Sequence, residues 1–265
     1  MERLDWVIFR TNGKCIIIKA MLLIDSLIKE GWLKTPRIIE AFQKIKRVDF
    51  MPARLSFAGQ NFGGPEEIKN LAELNEALPI GYGQTISQPL VVAFMLEELS
   101  PQAGEKVLDI GSGSGWTSAL LGEIVSGRES SPRSGHSSPR SKEAASLSAR
   151  AELPKGKVIA IELVPELKEF GEKNVGKYNF IEKGIVKFVC ADGSKGYKKE
   201  APFDKILCSA AIQDKVPQPW KKQLKVGGRI VTPIGSSIWK LIKKSENEFE
   251  EIEYPGFAFV PLVEK

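Results

Sequence analysis

Histidine is almost missing from this chain: there is one in 265 residues, His136, inside a Ser/Pro/Arg-rich stretch. That argues against a Ser-His-Asp triad, a Cys-His pair or a histidine-ligated metal. Cysteine is scarce too. Cys15, Cys190 and Cys208 show no metal-ligand spacing and form an odd set, so no metal site is expected and they read as reduced thiols of a cytoplasmic protein. No apolar run reaches the roughly 18 residues of a membrane span. The nearest, 15–24, is broken by Lys19 and is followed by no cleavage pattern, so no membrane partner is expected. Charge of one sign is also thinner than the net +5 suggests. Arg3, Arg10, Lys14 and Lys19 concentrate it in residues 1–20, and Arg128, Arg133, Arg140, Lys142 and Arg150 concentrate it in 126–152. What remains is nearly neutral, which argues against a nucleic-acid-binding face.

Hydrophobic residues make up 42% of the chain, enough for a sizeable core. Residues 1–20 have a weak pattern and read as a loosely ordered extension. From 21 to 103 the chain reads as a helical lead-in. Leu22, Leu23, Leu27 and Ile28 share a helical face, and Thr35 is placed to cap a second helix carrying Ile38, Ile39, Phe42 and Ile45. Residues 50–80 look loop-rich, with a short helix near 66–74. From 104 to 265 strand and helix patterns alternate. Strands are expected at 106–110, 157–162, 185–190, 203–208 and 229–233, and two more at 238–243 and 249–253. The fold class this implies is α/β, a doubly wound and mostly parallel sheet with helices on both faces and antiparallel strands at its C-terminal end. Residues 126–152 interrupt it as an insertion expected to be disordered.

The loop Asp109-Ile-Gly-Ser-Gly-Ser-Gly115 follows a strand and opens a helix. Its glycine spacing, with Gly111, Ser112, Gly113 and Ser114 at its heart, departs from the dinucleotide pattern, whose third glycine would fall on Trp116. A shorter ligand without a pyrophosphate, such as S-adenosylmethionine (SAM), suits it better, with a nicotinamide cofactor as the runner-up. Glu162 ends the next strand, 53 residues after Asp109; removing the 27-residue insertion leaves 26, close to the spacing of a ribose-binding acid. Asp192-Gly193 ends the third strand. Each acid alone reads as a turn or a solvated strand end; together with the glycine loop they outline a nucleoside site. Upstream, Gly81-Tyr-Gly-Gln-Thr-Ile-Ser-Gln-Pro89 reads by itself as a loop and a helix start, with Ser87 or Gln88 as cap.

In order along the chain, "LPIGYGQTISQP" (78–89), "VLDIGSGSGWTSALL" (107–121), "IELVPEL" (161–167), "ADG" (191–193), "FDKILCSAA" (203–211), "LKVGGRIVTPIG" (224–235) and "FVPL" (259–262) resemble the protein-L-isoaspartate O-methyltransferases. The resemblance covers about 21–265 apart from the insertion. It implies a Rossmann-like, SAM-dependent methyltransferase that esterifies the free carboxylate of L-isoaspartyl residues in peptides and proteins, opening their repair. It maps the catalytic serine to Ser87 and SAM contacts to Asp109, Ser114, Glu162, Leu163, Asp192 and Gly193. Gln84, Thr85 and Ile86 map to the segment across cofactor and acceptor. A monomer is the expected state.

Rival readings are a methyltransferase with another acceptor and a SAM-binding protein without isoaspartyl activity. A base-directed amino-methyltransferase should carry an Asn/Asp-Pro-Pro-aromatic motif where this chain has Cys208-Ser-Ala-Ala211, and a cytosine-C5 enzyme should carry a Pro-Cys nucleophile.

Overall fold

A computed structural model describes residues 5–11, 14–20, 23–127 and 156–262. Residues 128–152 of the expected insertion lie outside the described residues. The segment expected as a loose extension pairs with itself: β1 (Asp5–Thr11) and β2 (Lys14–Ala20) form an antiparallel ribbon. The lead-in continues with α1 (Leu23–Lys29), α2 (Pro36–Lys44) and a 3-10 turn over Arg47–Phe50. Then come β3 (Arg54–Phe57), β4 (Gln60–Gly63), α3 (Pro65–Ala72), β5 (Leu78–Gly81), β6 (Gln84–Ile86) and α4 (Pro89–Leu99).

Two of these elements, the hairpins β3–β4 and β5–β6, differ from the loop expected here. Their strands are only three or four residues long, too short for an alternating pattern to register. Both turns use two left-handed residues in a row, Ala58-Gly59 and Tyr82-Gly83. That is the backbone of a tight hairpin turn, which Asn-Gly would normally announce.

The core is a seven-stranded sheet. Its elements are β7 (Lys106–Ile110), α5 (Trp116–Val125), β8 (Lys157–Glu162), α6 (Pro165–Gly176), β9 (Val186–Cys190), β10 (Phe203–Cys208), α7 (Gln218–Gln223), β11 (Leu224–Ile234), β12 (Ser237–Lys243) and β13 (Phe249–Pro255). The strand order is β13-β12-β11-β10-β7-β8-β9. β9 through β11 run parallel, and β12 and β13 return antiparallel. This is the expected doubly wound architecture. Strand order reverses beside β7, between β8 and β10, which makes the carboxyl edge there the natural ligand crevice.

The period of two along the strands sorts side chains between two cores. Val107, Val158, Ala160 and Leu207 pack with the helices of one face, among them α2, α4, α5 and α6. Leu108, Ile110, Ile159, Ile161 and Ile206 pack on the other, with Trp220 of α7. The insertion falls between α5 and β8 in the sequence, and the described residues on either side of it are tied together. The Val125 carbonyl accepts from both Gly104 N and Gly156 N, at 3.0 and 3.1 Å. A segment whose ends meet can vary in length without moving the strands it joins.

The two helix caps expected from the sequence are supplied otherwise. Thr35 makes no cap bond. Its hydroxyl donates to Glu97 Oε2 at 2.6 Å, and the Lys34 and Thr35 amides donate to Glu97 Oε1, which docks α2 onto α4. At α4 neither Ser87 nor Gln88 caps. The Leu90 amide donates to Asn75 Oδ1 and Gln88 Nε2 donates to the Asn75 carbonyl, both at 2.9 Å. A residue from the preceding loop therefore closes this helix end.

Candidate active site

A cavity of about 480 Å3 opens at the carboxyl edge of the parallel strands. That is within the usual range for a small-molecule site. The ends of β7, β8 and β10 floor it, through Ile110, Ile161 and Ser209-Ala210. The glycine loop and Gln84–Ser87 form two facing walls. The C-terminal segment Ala258–Leu262 forms a third side. It is held there by Ala211, which donates to the Val260 carbonyl and accepts from the Leu262 amide.

The glycine loop is shaped by three left-handed glycines, Gly111, Gly113 and Gly115. Such backbone is open to glycine at no steric cost. Gly111 N and Ser112 N donate to the Ile161 carbonyl, at 2.9 and 3.0 Å. Gly113 N donates to Glu162 Oε2 at 2.8 Å, while Glu162 Oε1 accepts from the amides of Leu163 and Val164 just before α6. Asn174 Nδ2 donates to the Ser114 carbonyl. Glu162 is therefore a structural tie as well as a wall of the cavity. The hairpin β5–β6 lies close on this loop: a Cβ on Gly113 would meet Ile80 Cδ1 at 3.4 Å.

Gln84, Thr85, Ile86, Ser87, Gly111, Ser112, Gly113, Ser114, Glu162, Leu163 and Gly193 all line the cavity. Two of the expected contacts do not. Asp109 alternates to the same sheet face as Val107, beneath α5, where it is fully buried. Its Oδ2 accepts from Ser118 Oγ at 2.6 Å and Thr117 Oγ1 at 3.0 Å, and Oδ1 has no partner. It braces the loop from behind. Asp192 turns its carboxylate back onto Ser194 N, Ser194 Oγ and Lys195 Nζ, starting a 3-10 turn.

Burial raises the Asp109 carboxyl to about 6, the hydroxyls of Ser118 and Thr117 opposing the rise and the Glu162 charge adding to it. An acid that holds its proton more tightly folded than unfolded stabilises the fold fully below about pH 4, and this contribution is lost as pH rises through about 6. Asp109→Asn keeps the shape and cannot titrate. The unfolding free energy of the natural chain relative to this variant, measured by urea denaturation, is expected to fall by on the order of 3 kcal/mol between pH 4 and pH 7. Parallel pH profiles for the two chains would show that Asp109 does not titrate in this window.

The residues present fit a nucleoside ligand with polar edges. Ser112 Oγ and Trp116 Nε1 stand in the cavity wall, buried and without hydrogen-bond partners. Buried polar atoms of that kind are costly unless a ligand or water satisfies them. Cys208 is no candidate nucleophile: burial pushes its thiol up to about 12. Arg47, Asn75 and Asn174 were not marked by the sequence motifs, and their signal is only spatial; the segment 258–262 was marked by "FVPL", but not as a wall of the site.

A family model described as protein-L-isoaspartate(D-aspartate) O-methyltransferase matches residues 19–131 and 142–265. The protein-L-isoaspartate O-methyltransferase of Methanopyrus kandleri is 34% identical over 245 residues, covering 91% of this chain and 89% of its own. That of Thermococcus sibiricus is 35% identical over 251 residues, covering 92% and 93%. The fold matches a Plasmodium falciparum structure described as a protein-L-isoaspartate O-methyltransferase in complex with S-adenosyl-L-homocysteine. The TM-score is 0.70 at 18% identity, over 92% of this chain and 97% of that one. The chain belongs to the protein-L-isoaspartate(D-aspartate) O-methyltransferase family.

Proposed function

We propose that this chain methylates the free carboxylate of L-isoaspartyl residues in damaged peptides and proteins, using SAM bound on the glycine loop, with Ser87 orienting the acceptor. The observation that carries the reading is that Ser87 and Gly111–Ser114 open on one cavity. SAM supplies an electrophilic methyl group on a sulfonium. The acceptor carboxylate, with a pKa near 4, is already ionised at neutral pH, so the chain needs no general base. The scarcity of histidine is no handicap. What the chain must do is hold the carboxylate oxygen in line with the methyl carbon and its leaving sulfur.

Ser87 suits that task. Its hydroxyl has no partner among the described residues, and it lines the cavity half-buried. Donating to one carboxylate oxygen, it fixes the direction of the other without itself becoming a nucleophile. Gln84, Thr85 and Ile86 lie across the cofactor and the acceptor, Glu162 faces the ribose hydroxyls, and Leu163 and Gly193 flank the nucleoside. The ester product then closes spontaneously to a succinimide, which opens in part to normal aspartate.

On this reading residues 21–103 shape the acceptor side and 104–265 the SAM side. We take the enzyme to work as a cytoplasmic monomer, a compartment that suits the free thiols Cys190 and Cys208. No helix among the described residues is long and apolar enough to cross a membrane. The test is transfer of labelled methyl from SAM to an isoaspartyl peptide, with the matched aspartyl peptide as control. Selective labelling of the isoaspartyl peptide is expected. Equal labelling of both, or of neither, overturns the assignment.

A further inference from the structure

Arg47 is a buried cation with no role in the motifs. It is 6% exposed and sits at the start of the 3-10 turn Arg47–Phe50. Buried arginines are normally paired with an acid. Here the guanidinium is bonded to backbone instead. Nη1 donates to the carbonyls of Ala72 and Leu74, at 3.2 and 3.0 Å, and Nη2 donates to those of Glu76 and Ser87, at 2.6 and 3.2 Å. Glu73 and Glu76 add a favourable field, although burial still pulls the pKa down to about 9. The group stays charged at neutral pH.

We propose that Arg47 is the positioning residue of Ser87, fixing where its hydroxyl stands over the cavity. The need for such a clamp lies in the chain at this point. Ser87 falls between the end of β6 and the start of α4, and α4 begins with Pro89. The Ser87 carbonyl is one residue outside the helix, whose first carbonyl, that of Gln88, is taken by Val92 N. No helical N–H reaches it, and a carbonyl left unpaired there would let the corner shift. A guanidinium has donors in a rigid planar fork, so it fixes all four carbonyls relative to one another.

The same guanidinium lies 5.5 Å from the centre of the Trp116 ring. Trp116 follows the glycine loop directly and lines the cavity. Arg47 therefore references the acceptor side of the site to the cofactor side. Asn75, in the loop between α3 and β5, adds the second tie through Gln88 and Leu90.

The inference rests on the reading of Ser87, and a double-mutant cycle separates the two. Arg47→Lys keeps the charge but offers its donors from one point, which cannot span four carbonyls. Per SAM-binding site counted by titration, it is expected to lower kcat for an isoaspartyl peptide about tenfold, with the SAM Kd within about threefold. Placed on Ser87→Ala, it should add less than about twofold, because there is no longer a hydroxyl to misplace. Asn75→Ala removes a tie from a half-buried side chain and is the second variant, should the lysine chain fold poorly. An effect of about threefold is expected, again absent on Ser87→Ala. A purely structural Arg47 would reduce the number of binding sites and the Tm and leave kcat per site intact; an Arg47 acting elsewhere than through Ser87 would lower kcat by a factor that multiplies with that of Ser87→Ala. Either result overturns the clamp. Full activity in Ser87→Ala overturns the Ser87 reading itself, whereas a loss there with unchanged kcat in both other variants overturns the clamp alone.

Discussion

Ser87→Ala is expected to lower kcat for an isoaspartyl peptide by about tenfold or more, which corresponds to about 1.4 kcal/mol or more of lost transition-state stabilisation. The SAM Kd should change by less than about twofold, since the cofactor wall is built from other residues. The structure explains why this substitution is clean. The Ser87 hydroxyl has no internal partner to lose, and the Arg47 bond runs to its carbonyl, which alanine keeps. No helix cap is lost either, because Asn75 closes α4. Thermal stability should therefore be unchanged. The loss should fall in kcat, with the peptide KM moving only a few-fold, because the hydrogen bond matters most when the carboxylate oxygen meets the methyl carbon. A Ser87→Ala enzyme with the kcat of the natural chain would remove Ser87 from the chemistry. Equal losses in kcat and SAM affinity would mean that the substitution disturbs the cavity.

The strands of the core were legible because β7, β8 and β10 are buried on both faces and carry short apolar stretches, Val107-Leu108, Val158–Ile161 and Ile206–Cys208, where a one-sided strand would alternate. The glycine loop was legible for a different reason. Left-handed backbone at Gly111, Gly113 and Gly115 demands glycine, so its geometry is written in residue type. Asp109 shows the limit of carrying a role over by resemblance. The resemblance maps it to a SAM contact, but strand parity turns it beneath α5, whereas Ile110 beside it turns to the opposite core and reaches the cavity. The capping of α4 by Asn75 and the clamp by Arg47 could not be read, because each joins segments 13 to 40 residues apart by bonds to backbone. A backbone donor or acceptor carries no residue type, so no motif marks it. The hairpin β5–β6 escaped for a related reason: its tip is Tyr82-Gly83 rather than Asn-Gly, and a tyrosine at positive φ is a strained choice. That tyrosine is 61% exposed at the cavity mouth.

Gly171→Ala is the second large effect expected, and it acts on the cofactor side. Gly171 lies inside α6, where alanine would ordinarily stabilise a helix by about 1 kcal/mol. Here a Cβ would stand 2.7 Å from the Gly113 carbonyl oxygen, 2.9 Å from Phe188 Cε1 and 3.3 Å from Gly115 N. The approach is mutual, since a Cβ on Gly115 would lie 2.8 Å from the Gly171 carbonyl oxygen. Helix and glycine loop thus meet backbone to backbone, and a backbone carbonyl cannot swing aside as a side-chain tip can. The loop must shift, taking with it the Gly113 amide that Glu162 holds. SAM affinity by calorimetry is expected to fall about tenfold or more, that is by about 1.4 kcal/mol or more, with Gly171→Val worse. Gly176→Ala, at the end of the same helix, is the control. Nothing lies within 4 Å of its Cβ position, so only helix propensity should act, and the Tm should hold or rise with SAM affinity unchanged. Opposite responses from two glycines of one helix would locate the effect in the contact with the loop; a Gly171→Ala chain that binds SAM normally would show that α6 does not set the loop's position.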